Sequence, residues 1–105
     1  MNVVINLNKK LGSFKYSYKD GILNFIILDS NNKVDISNSK ARIIFIDSSF
    51  NYYIYNLESL NKNFTLNIKE SEIKSGFYVC QIELEDKINS RRYSPKFEIE
   101  IIKSK

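Results

Sequence analysis

Residues Ser75–Ile82, SGFYVCQI, decide the fold of this chain, because they join a turn glycine to a strand whose alternate residues form an apolar face. Continued to Glu85, this strand has one wholly apolar face, which is made of Tyr78, Cys80, Ile82 and Leu84. The other face is mixed and holds Phe77, Val79, Gln81, Glu83 and Glu85. Because successive side chains of a strand point to opposite sides, we expect the apolar face to lie in the core.

Cys80 is the single cysteine of the chain and lies on the apolar face of this strand. It is therefore interpreted as a small buried hydrophobic residue. A nucleophilic thiol needs an activating base, most often His, and the sequence contains no His. One cysteine also excludes an internal disulfide.

The two-residue period continues through most of the chain and is interrupted by polar turn signals at the roughly 8–12-residue spacing of an all-β domain. The remaining predicted strands lie at 3–8, 14–19, 22–29, 41–47, 52–58, 64–68 and 97–102. The helix-forming stretch 69–75 in front of Gly76 predicts one helical turn. No helical segment is long enough to cross over between parallel strands, so antiparallel pairing is expected.

These features predict one all-β domain over residues 1–105. The expected architecture is an antiparallel β-sandwich of seven or eight strands with a short helical turn near 69–75. A β-barrel is the alternative. Pro95 fits a bulge or an edge position just before the last strand, because proline cannot donate to a β-ladder.

The order of Gly76, Tyr78 and Cys80, each two residues apart, resembles strand F of an immunoglobulin domain. In that arrangement the glycine turns a corner, and the buried tyrosine bonds its hydroxyl to backbone across it. An antibody-type domain would pair the cysteine with another on strand B, beside a Trp. The segment 22–29 contains no Cys and the chain has no Trp, so the resemblance implies an immunoglobulin-like sandwich without the disulfide.

Composition and charge exclude several other classes of protein. Hydrophobic residues make up 43% and charged residues 27%, which is typical of a globular domain and argues against disorder. The net charge of +4 could attract an anionic partner, but no run of five or six Lys/Arg is present, so nucleic-acid binding is not expected. No apolar run approaches 18 residues, so no membrane span is expected. The N-terminal segment lacks the order of a secretory signal, which favours synthesis and initial residence in the cytoplasm.

Metal, cofactor and catalytic motifs are not found. Three turn-associated aspartates, Asp29, Asp35 and Asp47, lack calcium-loop spacing and are interpreted as turn formers. Two carboxylate pairs share strand faces and are interpreted as the solvated sides of those strands: Glu83 with Glu85, and Glu98 with Glu100. The three glycines stand alone, without a phosphate-binding loop. We therefore predict a non-enzymatic protein with no catalytic, cofactor-binding or metal-binding residue.

Two groups of Tyr, Phe and Arg are the candidate partner-binding residues, because aromatic residues and Arg dominate the energetics of protein interfaces. The first group is Phe50, Tyr52, Tyr53 and Tyr55, and the second is Arg91, Arg92 and Tyr93. One face of the strand at 52–55 must be buried, so part of the first group is expected in the core.

The segment FKYSYKDGILNFIILDSNNKVDIS, residues 14–37, resembles the N-terminal domain of phage baseplate upper proteins of Gram-positive hosts. The shared order is an aromatic–Lys stretch, an Asp-Gly turn, an apolar strand ending in Asp, a polar turn and a Val-Asp-Ile-Ser piece. The apolar strand at 41–47, Gly76 with its aromatic pair and the closing strand are also similar.

This resemblance implies an immunoglobulin-like sandwich without catalytic residues that anchors a larger assembly to the phage tail tip. Family members continue into a helical linker and a receptor-binding part, so the chain is either the anchor domain of a longer protein or a free-standing version. The first hypothesis is a virion adaptor of the tail or baseplate that binds other tail subunits after synthesis in the bacterial cytoplasm. The alternative is a small phage-encoded inhibitor of a host defence complex, of the anti-CRISPR type. Neither hypothesis requires a cofactor, a small-molecule substrate or a membrane.

Overall fold

The strands form where β-branched and aromatic residues alternate with polar ones, as the sequence predicts. The computed structural model describes residues 2–8, 13–17, 21–30, 32–34, 36–60, 63–86 and 90–103. Within these ranges the strands are β1 (Asn2–Asn6), β2 (Ser13–Ser17), β3 (Ile22–Asp29), β4 (Asn32–Lys33), β5 (Ser39–Ile46), β6 (Tyr52–Asn56), β7 (Glu58–Leu60), β8 (Asn63–Asn67), β9 (Gly76–Asp86), β10 (Arg91–Tyr93) and β11 (Phe97–Ile102). The described ranges thus contain eleven strands where the sequence predicts seven or eight, because the short strands β4, β7 and β10 were not predicted. One turn of 3-10 helix, Ile36–Asn38, precedes β5.

The strands form two sheets around one hydrophobic core, an all-β arrangement consistent with a β-sandwich. The smaller sheet has the order β1-β3-β8-β7, with β4 beside β3. The larger sheet has the order β2-β11-β9-β5-β6, with β10 beside β9. Buried side chains from both sheets meet in the core, among them Phe25 and Phe64 of the smaller sheet and Phe45, Cys80 and Ile99 of the larger.

The prediction of purely antiparallel pairing is wrong, because both sheets are mixed. β1 runs parallel to β3, and β2 runs parallel to β11. Parallel neighbours need a long crossover, and the sequence analysis considered only a helix for that role. In the structure the chain reaches β3 from β1 by way of β2, a strand of the other sheet. β2 and β11 lie near opposite ends of the chain, so no hairpin dictates their relative direction.

The helical turn predicted near 69–75 is absent. The chain instead makes a tight turn in which the backbone N–H of Ser71 donates to the Ile68 carbonyl at 3.1 Å. The Ser71 hydroxyl donates to the same carbonyl at 2.8 Å and accepts the N–H of Ile73 at 3.3 Å. A serine side chain that bonds nearby backbone competes with helix formation, and this explains the departure. Ile73 is buried beneath the turn.

The predicted faces of β9 are confirmed. Tyr78, Cys80, Ile82 and Leu84 are buried, whereas Phe77 and Val79 are exposed. The expected corner is also present, since the Tyr78 hydroxyl donates to the Lys74 carbonyl oxygen at 2.7 Å. Gly76 has a φ of +152°, a conformation that side-chain-bearing residues rarely adopt.

On one side β9 pairs with two shorter strands, β11 and β10, and Ser94 lies in the segment that connects these two strands. The first half of β9 pairs with β11 and its last residues pair with β10. Between them, the N–H of Ser94 donates to the Ile82 carbonyl at 2.8 Å, and the Ser94 hydroxyl accepts the Ile82 N–H at 2.9 Å. Pro95 follows in the gap between β10 and β11, where the ladder requires no donor.

No helix within the described ranges is long and apolar enough to cross a membrane. Tyr18, Asp20, Asn31 and Asp35, which belong to segments used in the sequence predictions, lie outside the described residues.

Candidate protein-binding face

The outward side of the larger sheet has an apolar part, which Glu98 and Glu100 of β11 border, and a separate charged part. Its apolar part, here called the apolar face, consists of Ile44, Ile46, Phe50, Tyr52, Ile54, Phe77 and Val79. Strand register places these residues in neighbouring rows, with Ile46 between Tyr52 and Val79. Ile44 lies opposite Ile54 in the next row.

Most side chains of the apolar face are exposed, whereas Ile44 and Ile46 are partly buried. Phe50 is 80% exposed, Phe77 71% and Tyr52 64%. Ile54 is 52% exposed. A contiguous exposed apolar surface on a folded domain commonly marks a protein-binding site.

The turn between β5 and β6 displays Phe50 at the rim of this face. The Asp47 carboxylate accepts the backbone N–H groups of Ser49 and Asn51, each at 2.9 Å, and the Phe50 N–H donates to the Asp47 carbonyl at 3.0 Å. Phe50 has a φ of 63°, a conformation uncommon for a bulky residue. Hydrogen bonds to the Asp47 carboxylate hold the pKa of Asp47 below its usual value, and the bond from the Asn51 backbone has the largest effect.

The charged part of the outward side is an internally paired cluster. The Arg42 guanidinium donates to both carboxylate oxygens of Glu83, at 2.9 and 2.8 Å. The hydrogen bond from Arg42 lowers the pKa of Glu83 despite the opposing effect of burial. Arg91 contacts Glu85 at 3.3 Å.

The expectation that Glu83 lies on a solvated face is wrong, because its side chain is buried. Strands β5 and β10 flank β9 at this level and bring Arg42 and Tyr93 to either side of Glu83. Burial of a carboxylate is tolerated here because the guanidinium pairs with both of its oxygens.

The first predicted group of binding residues divides between the two faces of β6. Phe50 and Tyr52 belong to the apolar face. Tyr53 and Tyr55 are half-buried and pack against the core, where Tyr55 meets the Phe45 ring edge-to-face at 6.0 Å. The Tyr53 hydroxyl donates to Asp47 at 3.0 Å, and this bond raises the pKa of Tyr53.

The second predicted group lies elsewhere on the sheet. Arg91, Arg92 and Tyr93 form β10, which two strands, β9 and β5, separate from β6. Tyr93 is half-exposed beside the charged cluster. Arg92 connects the two sheets through its ion pair with Asp29 at 2.5 Å. The structure therefore does not bring the two predicted groups together.

Five residues of the apolar face were not among the predicted site residues: Ile44, Ile46, Ile54, Phe77 and Val79. Such residues can be identified in the sequence as apolar residues at strand positions that the two-residue alternation predicts to be exposed. Phe77 and Val79 occupy such positions on β9.

Among the residues that the structure describes, no group of three or more His, Cys, Asp or Glu side chains could hold a metal ion. Comparison with protein-family models gives no match, and comparison with curated protein sequences gives none either.

Proposed function

We propose that this chain is a non-enzymatic adaptor of a phage tail tip or baseplate, and that the apolar face binds an apolar surface of a neighbouring tail subunit. The observation that supports the binding part of the proposal is the exposure of Phe50, Tyr52, Ile54 and Phe77 on one side of the larger sheet. The tail-tip part rests on the resemblance of residues 14–37. Burial of such side chains against a partner is favourable by roughly 25 cal/mol for each Å² of apolar surface removed from water.

An immunoglobulin-like topology is part of this proposal. Two strand orders support it: β11-β9-β5-β6 in the larger sheet would match the order G-F-C-C′, and β3-β8-β7 in the smaller sheet would match B-E-D. β1, parallel to β3, is an addition to that scheme. The corner formed by Gly76 and Tyr78 supports the same assignment, since it precedes the strand in position F.

The charges around the face favour an apolar protein surface as the occupant. Lys15, Arg42 and Arg91, on the outward side of the larger sheet, are ion-paired with Glu100, Glu83 and Glu85. A nucleic acid would be bound by cations that neutralise phosphates, and these three cationic groups already have carboxylate partners. An uncharged protein surface can cover the apolar face without breaking these pairs.

The proposal is tested on particles assembled in cells that carry the gene with its neighbouring genes. Quantitative mass spectrometry of purified particles is expected to find the chain at a stoichiometric copy number. Phe77→Ser and Val79→Ser are expected to weaken incorporation by about tenfold or more, as truncation of an interface hot spot does. Val4→Ser, an exposed position of the smaller sheet, is the matched control and is expected to incorporate normally.

Absence of the wild-type chain from the particles would contradict the adaptor proposal. Co-purification with a host nuclease complex, lost in Phe77→Ser and retained in Val4→Ser, would instead support the inhibitor of host defence as the function of the same face. Normal incorporation of both face variants would show that the adaptor binds through another surface.

A further inference from the structure

The outer edge of β6 presents unused backbone hydrogen-bonding groups. Among the strands that the structure describes, β6 pairs with β5 alone, on one side. The bonds from Asp47 N–H to the Asn51 carbonyl (3.1 Å) and from Leu57 N–H to the Ala41 carbonyl (2.9 Å) show which pairs of this ladder are hydrogen-bonded. Because such pairs alternate in an antiparallel ladder, Tyr53 and Tyr55 bond to β5.

The alternate residues of β6 therefore direct their N–H and C=O groups away from β5. These residues are Tyr52, Ile54 and Asn56, and within the described chain no backbone partner lies on that side. Three residues whose N–H and C=O groups all point outward are enough to form a short β-ladder with another strand. An extended chain laid along this edge would continue the larger sheet.

The side chains of β6 do not protect this edge. The strand YYIYN contains no charged residue and no proline, the two devices that most often prevent edge-to-edge pairing. By contrast, the edge strands β2 and β7 carry Lys15 and Glu58. β1 also lacks charge, but Val4 is its one exposed apolar side chain, whereas β6 exposes both Tyr52 and Ile54.

We propose that β6 pairs with β6 of a second copy of this chain, antiparallel and with a two-fold axis at Ile54. In this register Ile54 lies opposite Ile54 of the second copy. Tyr52 lies opposite Asn56 of the second copy, and the reverse pair is identical by symmetry. All three outward-pointing backbone sets are then used, and the two larger sheets form one continuous twelve-stranded sheet.

The symmetric register suits the side chains as well as the backbone. On the inner side it places Tyr53 opposite Tyr55 of the second copy, and aromatic cross-strand pairs stabilise a ladder. On the outer side the two apolar faces become adjacent across Ile54. The strand carries no charge, so the net charge of +4 on each copy is not concentrated at the contact. A surface that complements itself in this way is what an isologous dimer requires.

Sedimentation equilibrium tests the proposal on the full chain. The wild type is expected at twice the chain mass of 12.3 kDa. Ile54→Pro removes an N–H that points away from β5, so it is expected to give a folded monomer. Ile54→Val keeps that N–H and is expected to remain a dimer. Phe77→Ser, which changes the apolar face without touching the edge, is also expected to remain a dimer.

A cysteine cross-link tests the register independently of folding effects in the proline variant. Opposed residues of a hydrogen-bonded pair have Cα atoms about 5.5 Å apart, within the range that a disulfide spans. Cys80 is buried, so the introduced thiol of Ile54→Cys is the accessible one. Mild oxidation is expected to cross-link Ile54→Cys rapidly and Lys15→Cys, on the opposite edge of the same sheet, slowly.

Three results would overturn the proposal. The first is a wild-type chain that remains monomeric at hundreds of micromolar. The second is a folded Ile54→Pro variant that remains dimeric while Phe77→Ser dissociates, because this would place the contact on the apolar face. The third is cross-linking of Ile54→Cys no faster than that of Lys15→Cys.

Discussion

The Tyr78 hydroxyl lies 2.7 Å from the carbonyl oxygen of Lys74 and donates a hydrogen bond to it across the corner that leads into β9. The same ring packs edge-to-face on Phe45, at a centroid distance of 5.6 Å. One side chain thus connects the turn at Gly76 to the centre of the core. The two contacts can be separated by substitution, because one belongs to the hydroxyl and the other to the ring.

Tyr78→Phe is expected to lower the free energy of unfolding by about 1 kcal/mol, because it removes the hydrogen bond and keeps the ring. Tyr78→Ala is expected to cost about 3 kcal/mol or more, as an aromatic core deletion. Urea denaturation followed by circular dichroism measures both values. A loss below about 0.5 kcal/mol for the alanine variant would be incompatible with a buried ring.

Cys80→Ala is expected to cost about 1 kcal/mol or somewhat more, as a small truncation in a packed core, and to leave partner binding intact. Burial raises the pKa of the Cys80 thiol far above its usual range, so little thiolate forms in the folded protein. A thiol reagent at pH 8 is therefore expected to react slowly with the native chain and rapidly after addition of urea. Rapid reaction of the native chain would contradict the structural role.

The Glu83 ion pair is expected to make stability depend on pH. Arg42 lowers the pKa of folded Glu83 below its ordinary value of 4.5, so the folded state binds that proton less tightly than the unfolded state does. The stabilisation is therefore present above pH 4.5 and is lost as the pH falls through the folded pKa. Thermal melts should show Glu83→Gln less stable than wild type at pH 7, with a gap that narrows in acid.

Glu98→Gln is the control for the change in net charge, since Glu98 lies on the exposed side of β11. Its melting temperature is expected to stay close to that of wild type at pH 7. A pH-independent gap for Glu83→Gln would mean that lost packing, and not the ion pair, accounts for the effect.

The Asp29–Arg92 ion pair is expected to be lost at a lower pH than the pH at which the Glu83–Arg42 ion pair begins to weaken. Hydrogen bonds from Arg92, and next from Asn8, lower the pKa of Asp29 to about 2. Its contribution is complete above the ordinary value of 3.8 and disappears as the pH falls through about 2. Asp29→Asn should melt below wild type at pH 7 and converge with it near pH 2.

Amide hydrogen exchange gives a local readout of the same contact. Asp29→Asn is expected to speed exchange in β10, because Arg92 no longer connects that strand to the smaller sheet. Unchanged exchange in β10 would show that the ladder with β9 holds the strand by itself.

The sequence was sufficient for the parts of the fold that depend on a two-residue period. The buried face of β9, the packing role of Cys80 and the corner at Tyr78 all follow from alternation and one glycine. The parallel neighbours β1–β3 and β2–β11 could not be predicted in this way, because alternation specifies which face is buried and carries no information on strand direction.

The candidate site was predicted only in part, for a related reason. Local crowding of aromatic residues identified Phe50 and Tyr52, but the face they belong to is completed by Ile46 and by Phe77 and Val79 of β9. Those residues meet only through sheet register. Likewise, the sequence predicts Glu83 on the surface, and only the pairing of β5 with β9 brings Arg42 beside it. Both the extent of the apolar face and the burial of Glu83 depend on pairing between strands that are distant in sequence, which a local pattern does not encode.

The hydrogen bonds of Ser94 make the register of β11 on β9 independent of the length of the hairpin between β9 and β10. Because Ser94 bonds both the N–H and the C=O of Ile82, the alignment of β11 on β9 is set at that point and does not depend on the hairpin that leads to β10. Residues can be added to or removed from the β9–β10 hairpin while Phe97 remains opposite Cys80. A change in the length of that connection is therefore expected to leave the packing of the sandwich core unchanged.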